Sequence, residues 1–232
     1  MGIIDLVFPR NCLGCKKSGV YICGSCIQKL PQPTPLCPLC EKPSVDGFTH
    51  FKCKKAQGLD GLLTLWPYQG VIRRAIIALK YKYAREVGDE LRKYAATKIK
   101  DYLPFLPKDA VFVPIPLYWY KENVRGFNQA AFFGKYISQK VGWEFLPDLL
   151  VRKKHTRPQT ELRSEERQKN IRGVFALSKH SQSIVKSQRS IVLFDDVYTT
   201  GSTLKEACKV LKTYLRRQGN GTGKVWGLTI AR

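Results

Sequence analysis

Acidic residues are scarce in this chain, which sets 18 Asp and Glu against 40 Lys and Arg over 232 residues. The formal charge of +22 creates a field that attracts polyanions: nucleic acid, phosphorylated small molecules or anionic lipid; the plainer alternative is a merely soluble basic protein. Long apolar runs are missing too. No uninterrupted stretch reaches the roughly eighteen residues that a spanning helix needs, so no direct membrane anchor is expected. The opening MGIIDLVFPRNC has no basic flank, long apolar core or cleavage site, and a secretory signal is not expected either. Cysteine is almost absent beyond residue 53: seven of the eight lie within residues 1–53 and Cys208 stands alone. The expected compartment is the cytoplasm, where paired cysteines more often hold metal than form disulfides. No internal repeat appears beyond the cysteine pairs. At 44% hydrophobic and 11% aromatic residues, the composition excludes wholesale disorder.

Texture changes near residue 58. Residues 1–58 are loop-rich and cysteine-rich, with Pro31, Pro33, Pro35 and Pro38 breaking any helix. From 59 to 232 the chain reads as a larger α/β domain. LLTLWPY reads as a strand, VIRRAIIALKYKY as a helix burying Val71, Ile72, Ala75, Ile76 and Leu79, and GDELRKYAATKIKDYL as another helix. AVFVPIPL is a buried strand and NQAAFFGKYISQKV a helix; DLLVRKK, GVFALS and SIVLFDD read as strands. The helix STLKEACKVLKTYLRRQ and the strand KVWGLTIA close the chain. Apolar strands alternating with helices imply a parallel sheet covered on both faces.

Cys12 and Cys15, Cys23 and Cys26, Cys37 and Cys40, and His50 and Cys53 each enclose two residues, the spacing of a zinc knuckle. Eight ligands suffice for two zincs, with Gly14 and Gly24 suiting the sharp turns. A domain this small has too little core to fold alone, so metal would supply much of its stability. Two pairings are open. Sequential use joins the first four cysteines and then Cys37, Cys40, His50 and Cys53. Interleaved use joins Cys12, Cys15, Cys37 and Cys40, leaving Cys23, Cys26, His50 and Cys53. The sequential arrangement closes shorter loops. No ligand position is left open, so the zincs are expected to be structural. Cys208 reads as a buried core thiol.

IVLFDDVYTTGST, residues 191–203, runs an apolar strand into two adjacent carboxylates and then a hydroxyl-rich turn. At the carboxyl end of a parallel strand, Asp195 and Asp196 would face a ligand. Adjacent carboxylates repel and require a metal ion, a basic group or sugar hydroxyls. Thr199, Thr200, Gly201, Ser202 and Thr203 would open the following helix and cradle a monophosphate on its backbone N–H groups. A phosphate and a diol separated by one sugar describe ribose 5-phosphate. The plainer alternative is a helix cap preceded by a solvated acid pair.

VLFDDVYTTGST is similar to the phosphoribosyl pyrophosphate signature of type I phosphoribosyltransferases. With its N-terminal zinc knuckles, VPIPL, RGFNQA and the segment RKKHTRPQTELRSEERQKN, the whole chain resembles the competence protein ComF family, built from a double zinc ribbon and a phosphoribosyltransferase domain. The resemblance implies a five-stranded core sheet, a small hood and a flexible loop over the site. It also implies that Asp195 and Asp196 bind the ribose hydroxyls, that residues 199–203 hold the 5-phosphate, and that Arg125 lies on the pyrophosphate side. Gln159, Arg167 and Asn170 would reach down from the loop. Magnesium is expected with the phosphoribosyl pyrophosphate, since the leaving group carries several negative charges. Lys154 and His50 depart mildly from the family pattern.

Two functions of different class follow. One is catalytic transfer of ribose 5-phosphate to an acceptor that the sequence does not identify; in its plainest form this is a metabolic transferase with no DNA role. The other, suggested by the resemblance, is handling of single-stranded DNA during uptake in natural transformation, with other DNA-uptake proteins as partners. Lys80, Lys82 and Arg85, interleaved with tyrosines, and Arg152, Lys153 and Lys154 are the sequence candidates for nucleic-acid contact.

Overall fold

The computed structural model describes residues 10–79, 85–154, 171–178, 189–217 and 223–232. Its strands are β1 (Gly61–Trp66), β2 (Ala110–Pro114), β3 (Glu144–Phe145), β4 (Leu150–Arg152), β5 (Phe175–Leu177), β6 (Ser190–Val197) and β7 (Val225–Ala231). Five of them form one sheet in the order β1-β7-β6-β2-β3, and every neighbouring pair is parallel. β7 is buried along its whole length and β2 likewise, because runs such as AVFVP and VWGLTIA have no polar face to turn to water. Ala110 pairs with Ser190 and Pro114 with Phe194. β2 and β6 therefore run level to their carboxyl ends, which brings the chain after Pro114 beside Asp195.

Helices cover both faces. α1 (Gly24–Gln28) lies in the cysteine-rich segment. α2 (Gly70–Ala78), α3 (Arg85–Lys98), α4 (Trp119–Arg125), α5 (Gln129–Val141) and α6 (Ser202–Arg217) follow. α2, α3 and α5 send Ile72, Ile76, Leu91, Phe133 and Ile137 against Phe112, Val192 and Phe194. On the opposite face, Leu204, Ala207, Cys208 and Leu211 of α6 meet Val111, Val113, Ile191 and Leu193. Cys208 is a buried core thiol, as its setting in the sequence implies.

One part of the alternation reads differently in three dimensions. β4 and β5 leave the parallel sheet and pair antiparallel with each other, Val151 opposite Ala176. Each has three residues and buries only some of them, too little apolar surface for a strand covered on both faces.

Both halves of the cysteine-rich segment dock on the body. Glu90 of α3 accepts the N–H groups of Tyr21 (3.0 Å) and Ile22 (2.7 Å), and Ile22 joins the core beside α2 and α3. Further along, Phe48 packs edge-on against Trp226 of β7 with ring centroids 4.8 Å apart.

Candidate functional site

The paired cysteines form two separate clusters. Cys12, Cys15, Cys23 and Cys26 bring their sulfurs within 4.8 Å of one another, and Cys37, Cys40, His50 and Cys53 do the same with three sulfurs and a ring nitrogen. This is the sequential pairing. The spacing fits zinc: bonds of about 2.3 Å imply sulfur–sulfur edges of roughly 3.8 Å in a tetrahedron, and Cys15 and Cys23 lie 3.6 Å apart. Gly14 is required by the first knuckle, since a Cβ there would collide with Cys26 Sγ. His50 Nε2 donates to the Pro43 carbonyl at 3.0 Å, leaving Nδ1 as the ligand nitrogen facing Cys40 at 3.3 Å.

The protonation pattern of the sulfurs also asks for a cation. Burial opposes ionisation of Cys12, but N–H groups of Cys15, Cys23 and Gly14 outweigh it and bring the thiol down to about 6. Hydrogen bonding to Cys23, with burial, pushes Cys26 up to about 12. Four thiolates cannot share this space without a metal to neutralise them.

β6 carries Asp195 and Asp196 to the carboxyl edge of the sheet, two strands from either margin. Asp195 Oδ1 accepts the Asp196 N–H at 2.9 Å. Burial, then the neighbouring Asp196 charge, push the Asp195 carboxyl well above the ordinary range, while Arg152 pulls it back. Arg152, at the end of β4, lies over the Phe175 ring at 5.7 Å. Burial in turn holds Arg152 below its ordinary value, with Asp195 opposing that shift. Arg152 therefore acts on the acid pair, whereas Lys153, Lys154 and Arg85 are exposed.

After Asp196 the chain turns at once. Gly201 adopts φ +66° and a Cβ there would strike the Tyr198 ring, so only glycine fits the turn. Ser202 then opens α6, whose first-turn N–H groups lack intrahelical partners. Lys205 Nζ reaches back to the Thr200 carbonyl at 2.9 Å and places a positive charge beside the turn. Thr200 donates to Ser202 Oγ at 3.2 Å. Gly201 and Ser202 are buried and Thr199 is exposed.

RGFNQ has a role for almost every residue. Arg125 ends α4, and Gly126 closes that helix in the left-handed conformation. Asn128 caps α5 by accepting from Ala130 (2.9 Å) and Ala131 (3.4 Å), and donates to the Ile115 carbonyl (3.1 Å) just past β2. Gln129 donates to the Leu79 carbonyl (3.1 Å) and accepts from Arg125 Nη1 (3.2 Å). Asn128 and Gln129 thus fix the motif to two elements and orient the arginine. Gln159, Arg167, Asn170, Lys80 and Lys82 lie outside the described residues.

Three features escaped the sequence reading. The charge of Arg152 acts on Asp195 across more than forty residues of chain. Tyr198, inside the signature, reaches the second zinc knuckle: its hydroxyl donates to the Pro38 carbonyl. α4 presents Trp119 and Tyr120 to solvent, 61% and 54% exposed; their exposure leaves no apolar periodicity to read, although the aromatic run YWY was a visible signal.

Comparison with known proteins extends these observations. Residues 3–56 match the Double zinc ribbon domain family. The chain is 35% identical to "Competence protein F" of Haemophilus influenzae over 119 residues, 51% of this chain and 49% of that protein, so that alignment spans about half of each. It is 28% identical to "Competence protein ComFC" of Bacillus subtilis over 204 residues, covering 82% of this chain and 77% of that protein. It is 26% identical to "DNA utilization protein YhgH" of Salmonella typhi over 233 residues, covering 96% and 98%.

Proposed function

We propose that this chain, a homologue of the competence protein F, ComFC and YhgH proteins with a double zinc ribbon at residues 3–56, binds phosphoribosyl pyrophosphate with Mg2+ and handles single-stranded DNA during its uptake. In this reading residues 1–58 are a zinc-stabilised module and residues 59–232 the phosphoribosyl-binding domain.

One observation carries the reading. At the carboxyl end of a central strand, an acid pair, a left-handed glycine and the first turn of α6 succeed one another, with Lys205 held to the same turn. The turn supplies N–H donors for a 5-phosphate. Asp195 and Asp196 accept from the two ribose hydroxyls, which relieves the cost of two unneutralised carboxylates at one edge. Arg125, oriented by Gln129, lies on the pyrophosphate side. Mg2+ would neutralise the diphosphate oxygens as the C1–O bond breaks and the acceptor's bond to C1 forms. The remaining negative charge on the departing pyrophosphate would fall to Arg125 and, in the resemblance, to Arg167.

The DNA half is supported by the relatives' names, by the +22 charge and by the exposed Trp119 and Tyr120 on the helix that ends in Arg125. Exposed aromatics beside cations are the ordinary means of binding unpaired bases. Calorimetric titration of phosphoribosyl pyrophosphate with Mg2+ tests the first half, with Asp195→Asn and Asp196→Asn as variants expected to lose binding. Titration of a labelled oligonucleotide tests the second. Ribose-phosphate binding without oligonucleotide binding would leave a transferase with no DNA role.

A further inference from the structure

The second zinc module and α6 border a cleft of about 720 Å3, which shares Ser202 and Lys205 with the ribose-phosphate reading and whose other lining residues that reading leaves unused. It starts at Ser202 in the first turn of α6 and reaches Arg216 in the last, a rise of roughly 21 Å. Residues 55–58 form the facing wall, joined to α6 where Gln57 Nε2 donates to Thr213 Oγ1 at 3.1 Å. Ile171 and Arg172 close the side toward β5.

The lining is strongly one-signed. Lys55, Arg172, Lys205, Lys209 and Arg216 face a single acid, Glu206. Glu206 is already occupied, accepting the Gly173 N–H at 2.8 Å, and Lys205 is held by Thr200 and Glu41. The other four cations are exposed, and among the described residues none of them forms an ion pair. Cations grouped along one cleft repel each other and raise the local concentration of anions. A compact anion would use one or two of them; a chain of phosphates uses them all. The remaining lining side chains include Leu39, Ala56 and Ile171 and no aromatic ring, so the cleft can sense charge but not stack bases. Its volume falls within the ~300–1,000 Å3 of small-molecule sites, room for part of one strand.

We infer that this cleft seats the sugar–phosphate backbone of single-stranded nucleic acid along α6, from Ser202 toward Arg216, without sequence preference. The inference rests on the nucleic-acid half of the function proposed above and shares only Ser202 and Lys205 with the ribose-phosphate half. It moves the strand away from the sequence candidates Arg85 and Arg152.

The test compares two zinc-loaded full-length variants that lose the same charge. Lys55→Gln/Lys209→Gln/Arg216→Gln strips the cleft. Lys93→Gln/Lys100→Gln/Lys135→Gln removes exposed lysines from α3 and its surroundings and from α5, on the other face of the sheet. Fluorescence anisotropy follows a labelled oligonucleotide on the order of 15 nucleotides long between ~50 and ~200 mM salt. The cleft variant is expected to lower the slope of log affinity against log salt by about 2, at roughly 0.7 per lost contact, and the control variant to leave it near the wild-type slope. Both variants are expected to keep wild-type melting and wild-type titration of phosphoribosyl pyrophosphate. Equal slopes in the two variants would overturn the cleft and leave DNA binding elsewhere on the protein. No oligonucleotide binding by wild type would overturn the cleft and the DNA reading together. Displacement of the oligonucleotide by polyglutamate at equal charge concentration would overturn it in favour of an acidic protein segment.

Discussion

The Tyr198 hydroxyl donates a 3.1 Å hydrogen bond to the carbonyl of Pro38, joining the turn that follows Asp196 to the knuckle between Cys37 and Cys40. Tyr198 is 2% exposed, and burial pushes its phenol upward so that it remains a donor at any ordinary pH. The ion pair between Lys205 and Glu41, at 3.3 Å, makes a second link between the same two places. The zinc module is therefore tied to the turn that carries the candidate phosphate site.

Tyr198→Phe keeps the ring that Gly201 packs against and removes only the hydroxyl. The lost bond leaves the Pro38 carbonyl without its donor, at a cost of about 1–3 kcal/mol. Differential scanning calorimetry should show a Tm lower by at least ~2 °C. Zinc content should stay at two per chain, and the affinity for phosphoribosyl pyrophosphate should fall.

Asp195→Asn should separate stability from binding. Because burial and Asp196 raise this carboxyl in the folded protein, ionising it costs folding free energy. That cost is absent below the unfolded carboxyl range near ~3.9, grows as pH rises above it, and is complete once pH passes the folded value. An amide removes the cost and can still accept the Asp196 N–H. The variant is expected to melt at least ~2 °C above wild type at neutral pH, to lose that advantage near pH ~4, and to lose ribose-phosphate binding. A lower Tm at neutral pH would contradict the electrostatic assignment.

The same shift predicts proton release on binding. A ligand that donates hydroxyls to Asp195 favours its ionised form, so affinity should weaken as pH falls through the raised carboxyl value. Calorimetry in buffers of differing ionisation enthalpy measures the released proton directly.

His50→Ala and His50→Cys separate the zinc sites. The cysteine variant should keep two zincs by metal analysis. The alanine variant should hold the first site, lose the second, and lose ribose-phosphate affinity with it, through the contacts of Pro38 and Glu41 with Tyr198 and Lys205.

Asn128→Ala removes the α5 cap and the anchor on Ile115 together. A cap alone is worth about 0.5–2 kcal/mol, and the orphaned Ile115 carbonyl adds to this. Urea unfolding should show a lower midpoint with an unchanged slope.

Much of this molecule could be read from residues alone. Strands such as AVFVP and IVLF are apolar throughout because both their faces are covered, and two-residue spacing announced the zinc knuckles. Other parts carry no local signal. β3 has two residues, too few for a pattern, and α4 is exposed, so nothing periodic marks it. β4 and β5 read correctly as strands, but periodicity reports which residues share a face and not which strand they pair with. The interactions that matter most for the site, the Tyr198–Pro38 hydrogen bond and the charge of Arg152 acting on Asp195, join residues far apart in the chain, and only the fold brings them together.

The most direct test is calorimetric titration of phosphoribosyl pyrophosphate into the zinc-loaded protein, with and without Mg2+, for wild type and Asp195→Asn. The account predicts magnesium-dependent binding by wild type and none by the variant. Absence of binding by wild type, or equal binding by both, would contradict the assignment of the acid pair and the turn at residues 199–203 to a ribose phosphate.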